Sequence, residues 1–337
     1  MKRMVFCFDG TSNRLIVENP TNVVLTAESV QPTADDGTAQ LIFYDEGVGT
    51  TKGQKVRGLV FGKGLDQNLA DAYRFLIFNY TPGDEIYIFG FSRGAYTARS
   101  FGGLLAHSGI PNRRYADQVD SAIAHYRTRN KSAEFEQEMM AFRSKYCWDV
   151  CVSEAEDEWR VRNSPGYTAG KAPLLRITYI GVWDTVGGLG LPAHYFISRF
   201  TNKKYEFHNT NLSSFVRSGR HALAIDERRK SFPPTLWTNL DERNAAAGSE
   251  PGAKDAYYQQ KWFPGTHSSV GGGGTANRHG LSDQALHWVW EGAMRIGLDL
   301  DASEQSRIFE LQPDYTEYIA DTDEPDFFTR IMNQGRH

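Results

Sequence analysis

Asp84–Leu105 reads DEIYIFGFSRGAYTARSFGGLL. Ile86, Tyr87, Ile88 and Phe89 make a short apolar run between Pro82-Gly83 and further glycines. Such a run, bounded by turn signals, fits a strand buried on both faces. Gly90-Phe91-Ser92-Arg93-Gly94 follows at once, and Ala95–Leu105 carries a helical pattern. Strand, G-x-S-x-G and helix in that order are the parts of a nucleophile elbow, which places a serine at the apex of a tight turn. The glycines Gly90 and Gly94 are required because side chains there would strike the adjoining strand and helix. Ser92 is then the candidate nucleophile, with the start of the helix beneath it. The alternative is a glycine-rich turn that merely buries a serine.

The rest of the chain supplies the sheet around this turn. RMVFCF at Arg3–Phe8 reads as a strand ending in Asp9-Gly10-Thr11, and Leu41–Tyr44 reads as a second strand. Leu69, Ala72, Tyr73, Leu76 and Ile77 recur at helical spacing before the elbow strand. Phe61-Gly62-Lys63-Gly64 lacks the spacing of a phosphate-binding loop. LLRITYIGVW at Leu174–Trp183 is the clearest strand after the elbow. Val216–Ile225 reads as a helix, Tyr257–Phe263 as the last strand, and Gln284–Ile296 as a helix capped by Leu281-Ser282-Asp283. Together these give an α/β-hydrolase architecture, a mostly parallel sheet with helices on both faces, as one domain over 1–337. Residues 111–173 are charged, with helical periodicity, and form a mainly helical insertion. It reads either as a lid over the site or as a solvated helical pair.

Two residues complete a candidate constellation. Asp184 stands at the tip of a strand, where an open parallel sheet puts its chemistry. An Asx-turn closing the strand is the plainer reading of it. His267 follows the last strand in a glycine-rich loop, PGTHSSVGGGG, which can bend so that the imidazole reaches back to Ser92. The chain order Ser, Asp, His is that of this fold. The cluster Asp226-Glu227-Arg228-Arg229 reads either as a surface ion-pair network or as support for the site, with Asp226 a reserve acid. His107, His221, His279 and His287 lack the setting of His267. An oxyanion hole needs the N–H of the residue after the nucleophile, Arg93, and a second N–H from an early loop, Gly10 or Thr11. Asp9 and Thr11 otherwise only close a turn.

Composition excludes other classes. The 337 residues are 40% hydrophobic and 23% charged, ample for a core. A net charge of -4 makes no general case for nucleic acid or an anionic membrane surface. Cys7, Cys147 and Cys151 give no disulfide framework and point to a reducing compartment. Cys147 and Cys151 are expected to share a helix face as packing thiols. No metal or cofactor is expected; calcium is compatible with the chemistry, but no dedicated loop for it is read. The N-terminal apolar run is too short for a Sec signal, so a cytoplasmic chain is expected.

FDGTSN at Phe8–Asn13, GVGT at Gly47–Thr50, the stretch Gly64–Arg99, GVWDTVG at Gly181–Gly187, AIDERR at Ala224–Arg229, WFPGTHSSVGGG at Trp262–Gly273 and LSDQAL at Leu281–Leu286 recur together, in order. In these the chain resembles the α/β-hydrolase family of type VI secretion phospholipase effectors. The resemblance implies a Ser-Asp-His triad on Ser92, Asp184 and His267, and cleavage of phospholipid acyl esters, of phospholipase A type. Association with a membrane surface and delivery by a specialised secretion system are compatible with the resemblance, and delivery into another cell does not follow from it. The family usually has an aromatic residue where Ser12 stands and an acid where Ser269 stands. Two other readings remain: an esterase or thioesterase for a soluble substrate, and a hydrolase-like module that binds without catalysis.

Overall fold

A parallel strand buried on both faces needs apolar residues at successive positions, and the short runs of this sequence meet that need. In the computed structural model, which describes residues 1–10, 19–47, 59–128, 132–187, 210–229, 232–250, 252–274 and 279–301, they pair as one sheet. Its strands are β1 (Lys2–Phe8), β2 (Ala39–Asp45), β3 (Glu85–Phe91), β4 (Tyr179–Trp183), β5 (Gly219–Ala224) and β6 (Tyr258–Phe263). The order is β2-β1-β3-β4-β5-β6, and every neighbouring pair is parallel. The fold is therefore α/β. From β1 the sheet grows one way to β2 and the other way to β3 and beyond. That reversal opens a crevice beyond the carboxyl ends of β1 and β3.

Alternation along the strands divides the core into two layers. Phe6, Phe8, Ile86 and Ile88 pack with α2 (Leu59–Asn79) and α3 (Arg93–Ser108), which contribute Leu69, Tyr73 and Phe101. Val5, Cys7, Tyr87 and Phe89 face the other way. They meet Val23 of α1 (Asn22–Ser29) and Leu286, Val289 and Trp290 of a helix at Gly280–Met294. That last helix begins earlier than its sequence pattern, so Leu281-Ser282-Asp283 lies in its first turn rather than capping it.

Two elements differ from expectation. Val216–Ile225, read as a helix, contains β5. GRHALA has no β-branched residue, yet all six positions are buried between β4 and β6, and pairing on both sides overrides local preference. Gly219 is needed there, since a Cβ would lie 2.8 Å from the Ile180 side chain. The strand expected over Leu174–Trp183 is regular only from Tyr179; Leu174 and Ile177 make isolated bridges with Cys151 and Val216.

The insertion contains α4 (Val119–Arg127), α5 (Ala133–Tyr146) and α6 (Glu154–Asn163). Ser108 Oγ donates to the Ala122 carbonyl, and a Cβ on Gly103 would meet the Tyr126 hydroxyl. These contacts fall on the far half of α3, from about 16 Å down its axis from Ser92. Arg127 ties α4 to Asp66 of α2. The described part of the insertion thus packs on α2 and α3. Nor do Cys147 and Cys151 share a helix: Cys147 ends α5, Cys151 sits in the bridge to Leu174, and all three cysteines are free. Burial pushes the Cys147 thiol up to about 12.

The insertion is held by a buried carboxylate between two guanidinium groups. Glu156 accepts from Arg143 Nε at 2.9 Å and from Arg160 Nη2 at 2.8 Å, with all three side chains at most 4% exposed. Removing one partner strands the others. Glu156→Ala is expected to cost about 3 kcal/mol in urea unfolding; an unchanged midpoint would show that Glu136 and Asp149, which also touch these arginines, carry the charge alone.

Candidate active site

Ser92 interrupts the run from β3 into α3 with φ 57°, a left-handed backbone that a non-glycine residue adopts only under constraint. The constraint is visible on both sides. A Cβ on Gly90 would lie 2.6 Å from the Gly94 carbonyl oxygen, and one on Gly94 would lie 2.1 Å from that of Phe8. The turn closes because neither exists. Ser92 N–H donates to the Trp183 carbonyl at 3.1 Å, so the serine is also tied to the end of β4.

Asp184 follows β4 with φ 36°, again left-handed. The neighbouring strand holds it there. Its N–H donates to the Ala222 carbonyl at 2.7 Å, and its Oδ1 accepts from the Ala224 N–H at 3.1 Å. Its Oδ2 lies 2.5 Å from His267 Nδ1. His267 Nε2 lies 2.7 Å from Ser92 Oγ. With the ring proton on Nδ1 shared with the carboxylate, Nε2 is left to accept from the serine hydroxyl. The three residues are each at most 5% exposed, so these contacts are little diluted by water.

His267 heads α7 (His267–Gly271), not an open loop, and α8 (Gly280–Met294) follows. The imidazole is flanked by the Phe91 ring at 4.6 Å and the Phe232 ring at 4.8 Å between centroids. Gly271 admits Phe91, since a Cβ there would lie 2.0 Å from its ring. Thr266 Oγ1 and Ser269 Oγ lie 3.2 Å apart, so Ser269 closes the turn around His267.

Asp226 does not reach the imidazole. It exchanges two bonds with Gly265: its N–H donates to the Gly265 carbonyl at 3.1 Å, and its Oδ2 accepts the Gly265 N–H at 2.7 Å. Glu227 accepts the His267 N–H at 3.2 Å and holds Arg229 through both oxygens, at 2.8 Å each. Burial opposes its ionisation, but Arg229 and the backbone donors bring its pKa below the usual range. Arg229 in turn lies 3.9 Å above the Phe232 ring. The charged cluster is therefore the mount of His267, with the Glu227 side chain only 3% exposed, and not a surface network. Its four consecutive charges next to an apolar run were the available signal.

His221 is a second residue the sequence did not single out. It lies fully buried in β5, accepts the Thr185 N–H on Nε2 at 3.2 Å and pairs with Gln260 Oε1 through Nδ1 at 3.0 Å. It thereby supports the turn carrying Asp184. Burial and the nearby Arg99 charge lower its pKa to about 3. The unfolded chain binds that proton near pH 6.5, so between about 6.5 and 3 it holds one more proton than the folded state. Stability falls as pH drops through this window, by up to about 1.4 kcal/mol per unit. His221→Gln is expected to flatten that acid slope in melting curves recorded against pH. Equal slopes in both proteins would show that the imidazole is not neutral in the fold.

On the loop after β1, Asp9 is 1% exposed and accepts from Thr21 Oγ1 at 2.8 Å and from the Tyr44 hydroxyl at 2.9 Å. It also accepts the Gly10 N–H at 2.6 Å. Gly10 is thus engaged by Asp9, which corrects its reading as an oxyanion donor; Thr11 lies outside the described residues. Arg93 is the first residue of α3, where N–H groups lack intrahelical acceptors and the helix dipole favours negative charge. Among the described residues no cluster of three or more metal-ligating side chains occurs, and no helix is long and apolar enough to cross a membrane.

The chain is 25% identical over 254 residues to an uncharacterized protein of Saccharomyces cerevisiae, YEL023C, in a match covering 71% of this chain and 33% of that one. Among solved structures, an uncharacterized protein from Pseudomonas aeruginosa aligns at TM-score 0.48 and 17% identity, over 89% of this chain and 46% of that one. A sugar hydrolase (YeeB) from Lactococcus lactis aligns at TM-score 0.34 and 9% identity, over 87% and 90%. The chain thus spans about a third of the yeast relative and about half of the Pseudomonas protein. Residues 2–292 match the family described as T6SS, Phospholipase effector Tle1-like, catalytic domain, and the chain belongs to that family.

Proposed function

We propose that the chain is a serine hydrolase that cleaves an acyl ester of phospholipids, with Ser92, His267 and Asp184 as its triad. The observation that carries this is the continuous contact from Ser92 Oγ through the imidazole to Asp184 Oδ2, at 2.7 and 2.5 Å. The family's description supplies the substrate class. His267 Nε2 takes the hydroxyl proton as Ser92 Oγ attacks the acyl carbonyl, and Asp184 stabilises the imidazolium. The developing oxyanion is stabilised by the Arg93 N–H, with Thr11 the remaining candidate for the second donor. The imidazolium then protonates the leaving lysophospholipid alcohol. Water, activated by the same imidazole, releases the fatty acid and restores Ser92. Delivery by a type VI secretion system is part of the same reading.

The test is incubation of the purified protein with mixed phospholipid vesicles, with products separated by mass. Fatty acid and lysophospholipid in equal amounts are expected. Release of a phosphorylated headgroup would place the cleavage at the wrong bond. Intact lipid together with turnover of a soluble ester would move the activity to a soluble substrate.

A further inference from the structure

Three arginines gather at the amino-terminal end of the sheet, away from Ser92. Arg176 precedes β4, Arg217 precedes β5, and Arg243 lies in the short helix Leu240–Ala246. With Leu174, Tyr257 and Tyr258 they line an open cavity of about 450 Å³. At about 3.3 Å per residue, β5 alone spans roughly 16 Å from Gly219 to Ala224. The cavity therefore stands at the opposite end of the strands from the triad and is no part of the candidate active site.

Neutral groups place these arginines, and no acid answers them. The Arg217 N–H donates to the Ile177 carbonyl at 2.9 Å, which ties its backbone beside that of Arg176. Arg176 Nη1 donates to the carbonyls of Val152 and Leu175, at 2.9 and 2.8 Å. Arg243 Nη2 donates to the Tyr258 hydroxyl at 3.2 Å, and that hydroxyl donates to the Val216 carbonyl at 2.7 Å. Arg243 Nε is buried without a partner. The exposed Arg217 side chain makes no hydrogen bond or ion pair among the described residues. No carboxylate is among the described residues that line the cavity. Burial, and then the charges of Arg217 and Arg243, lower the pKa of Arg176, while Glu154, outside the cavity wall, opposes them in part. Like charges thus face one another without a counterion of the chain's own.

An anion between the three relieves that repulsion. A guanidinium fork matches the oxygens of a phosphate. A phosphate monoester brings close to two negative charges at neutral pH and three acceptor oxygens, more than a single carboxylate offers. The rest of the wall is apolar or aromatic, with Leu174 37% and Tyr257 41% exposed. That composition suits a phosphate carried on an apolar group.

We infer that Arg176, Arg217 and Arg243 form a binding site for an organic phosphate, with the phosphate between the guanidinium groups and its apolar part against Leu174 and Tyr257. The site is independent of the reaction at Ser92. Phenyl phosphate is the probe, titrated by calorimetry at fixed ionic strength into the purified chain and into Arg217→Gln and Arg217→Lys. Arg217 is the residue to change because its side chain holds nothing else in place. One-to-one binding is expected, weakened about tenfold or more by Arg217→Gln, recovered in part by Arg217→Lys, and absent for phenol. Equal affinity in Arg217→Gln would overturn the proposal, as would equal binding of phenol or no binding of phenyl phosphate by the parent chain. Sedimentation of the Ser92→Ala protein with vesicles of phosphatidylcholine and phosphatidic acid then separates two sources of the phosphate. Sedimentation that needs Arg217 and is competed by phenyl phosphate assigns the site to a lipid headgroup. Phenyl phosphate binding without such sedimentation assigns it to a soluble phosphate ester.

Discussion

Ser92→Ala is expected to lower fatty-acid release by roughly 10⁴- to 10⁶-fold, the range seen when a triad nucleophile is removed. The size follows from the arrangement. His267 Nε2 has the serine hydroxyl at 2.7 Å and Asp184 behind its other nitrogen, so no second nucleophile takes over when Oγ is gone. The residual rate would come from substrate binding and the donors at the start of α3. Labelling by a fluorophosphonate should vanish with it, while the melting temperature should change little, because the substitution keeps the Cβ and the backbone of the turn and gives up only the hydroxyl's bond to His267. Turnover equal to that of the parent protein would sink the mechanism, whatever the geometry.

Gly94→Ala should act on the fold instead. A Cβ at this position would stand 2.1 Å from the Phe8 carbonyl oxygen and 2.5 Å from that of Asp9. Both are backbone atoms at the end of β1, a strand paired on both sides. No rotamer can relieve such a contact; α3 must lift off the sheet or β1 must slide. We expect a loss of at least about 3 kcal/mol in denaturant unfolding, beyond the usual range for an overpacked core, and little soluble protein. Gly274→Ala is the control, since nothing lies within 4 Å of its Cβ, and it should be nearly neutral. A stable Gly94→Ala protein would show that the junction of β1 and α3 yields more easily than backbone packing allows.

The contrast between these glycines shows where the sequence was legible. Gly90, Ser92 and Gly94 belong to one continuous strand–turn–helix, so their reading needed no distant partner, and the collisions expected of the two glycines are those found. β5 was not legible. GRHALA has a helix-compatible composition, and only its place between β4 and β6 makes it a strand. That misreading hid His221 as well, because a histidine on a supposed helix gives no hint that it will lie beneath the Asp184 turn. Glu227 was only half legible, in a cluster that read either as surface or as support for the site. Four consecutive charges look like solvent-facing sequence, and only the fold turns Glu227 inward to the His267 N–H and Arg229.

The sequence by itself determined the elbow, the chain order of Ser92, Asp184 and His267, and most of the strands, because each is written in local patterns of apolar residues, glycines and turn formers. It kept Asp226 in reserve behind Asp184 as the partner of the histidine, since both follow apolar segments before it. Only the tertiary structure decided between them. Two hydrogen bonds from β5 hold Asp184 in a left-handed turn with its carboxylate on His267, while Asp226 is bonded to Gly265. The physical reason is that a carboxylate's partner depends on which strand ends lie side by side, and that pairing joins residues far apart in the chain.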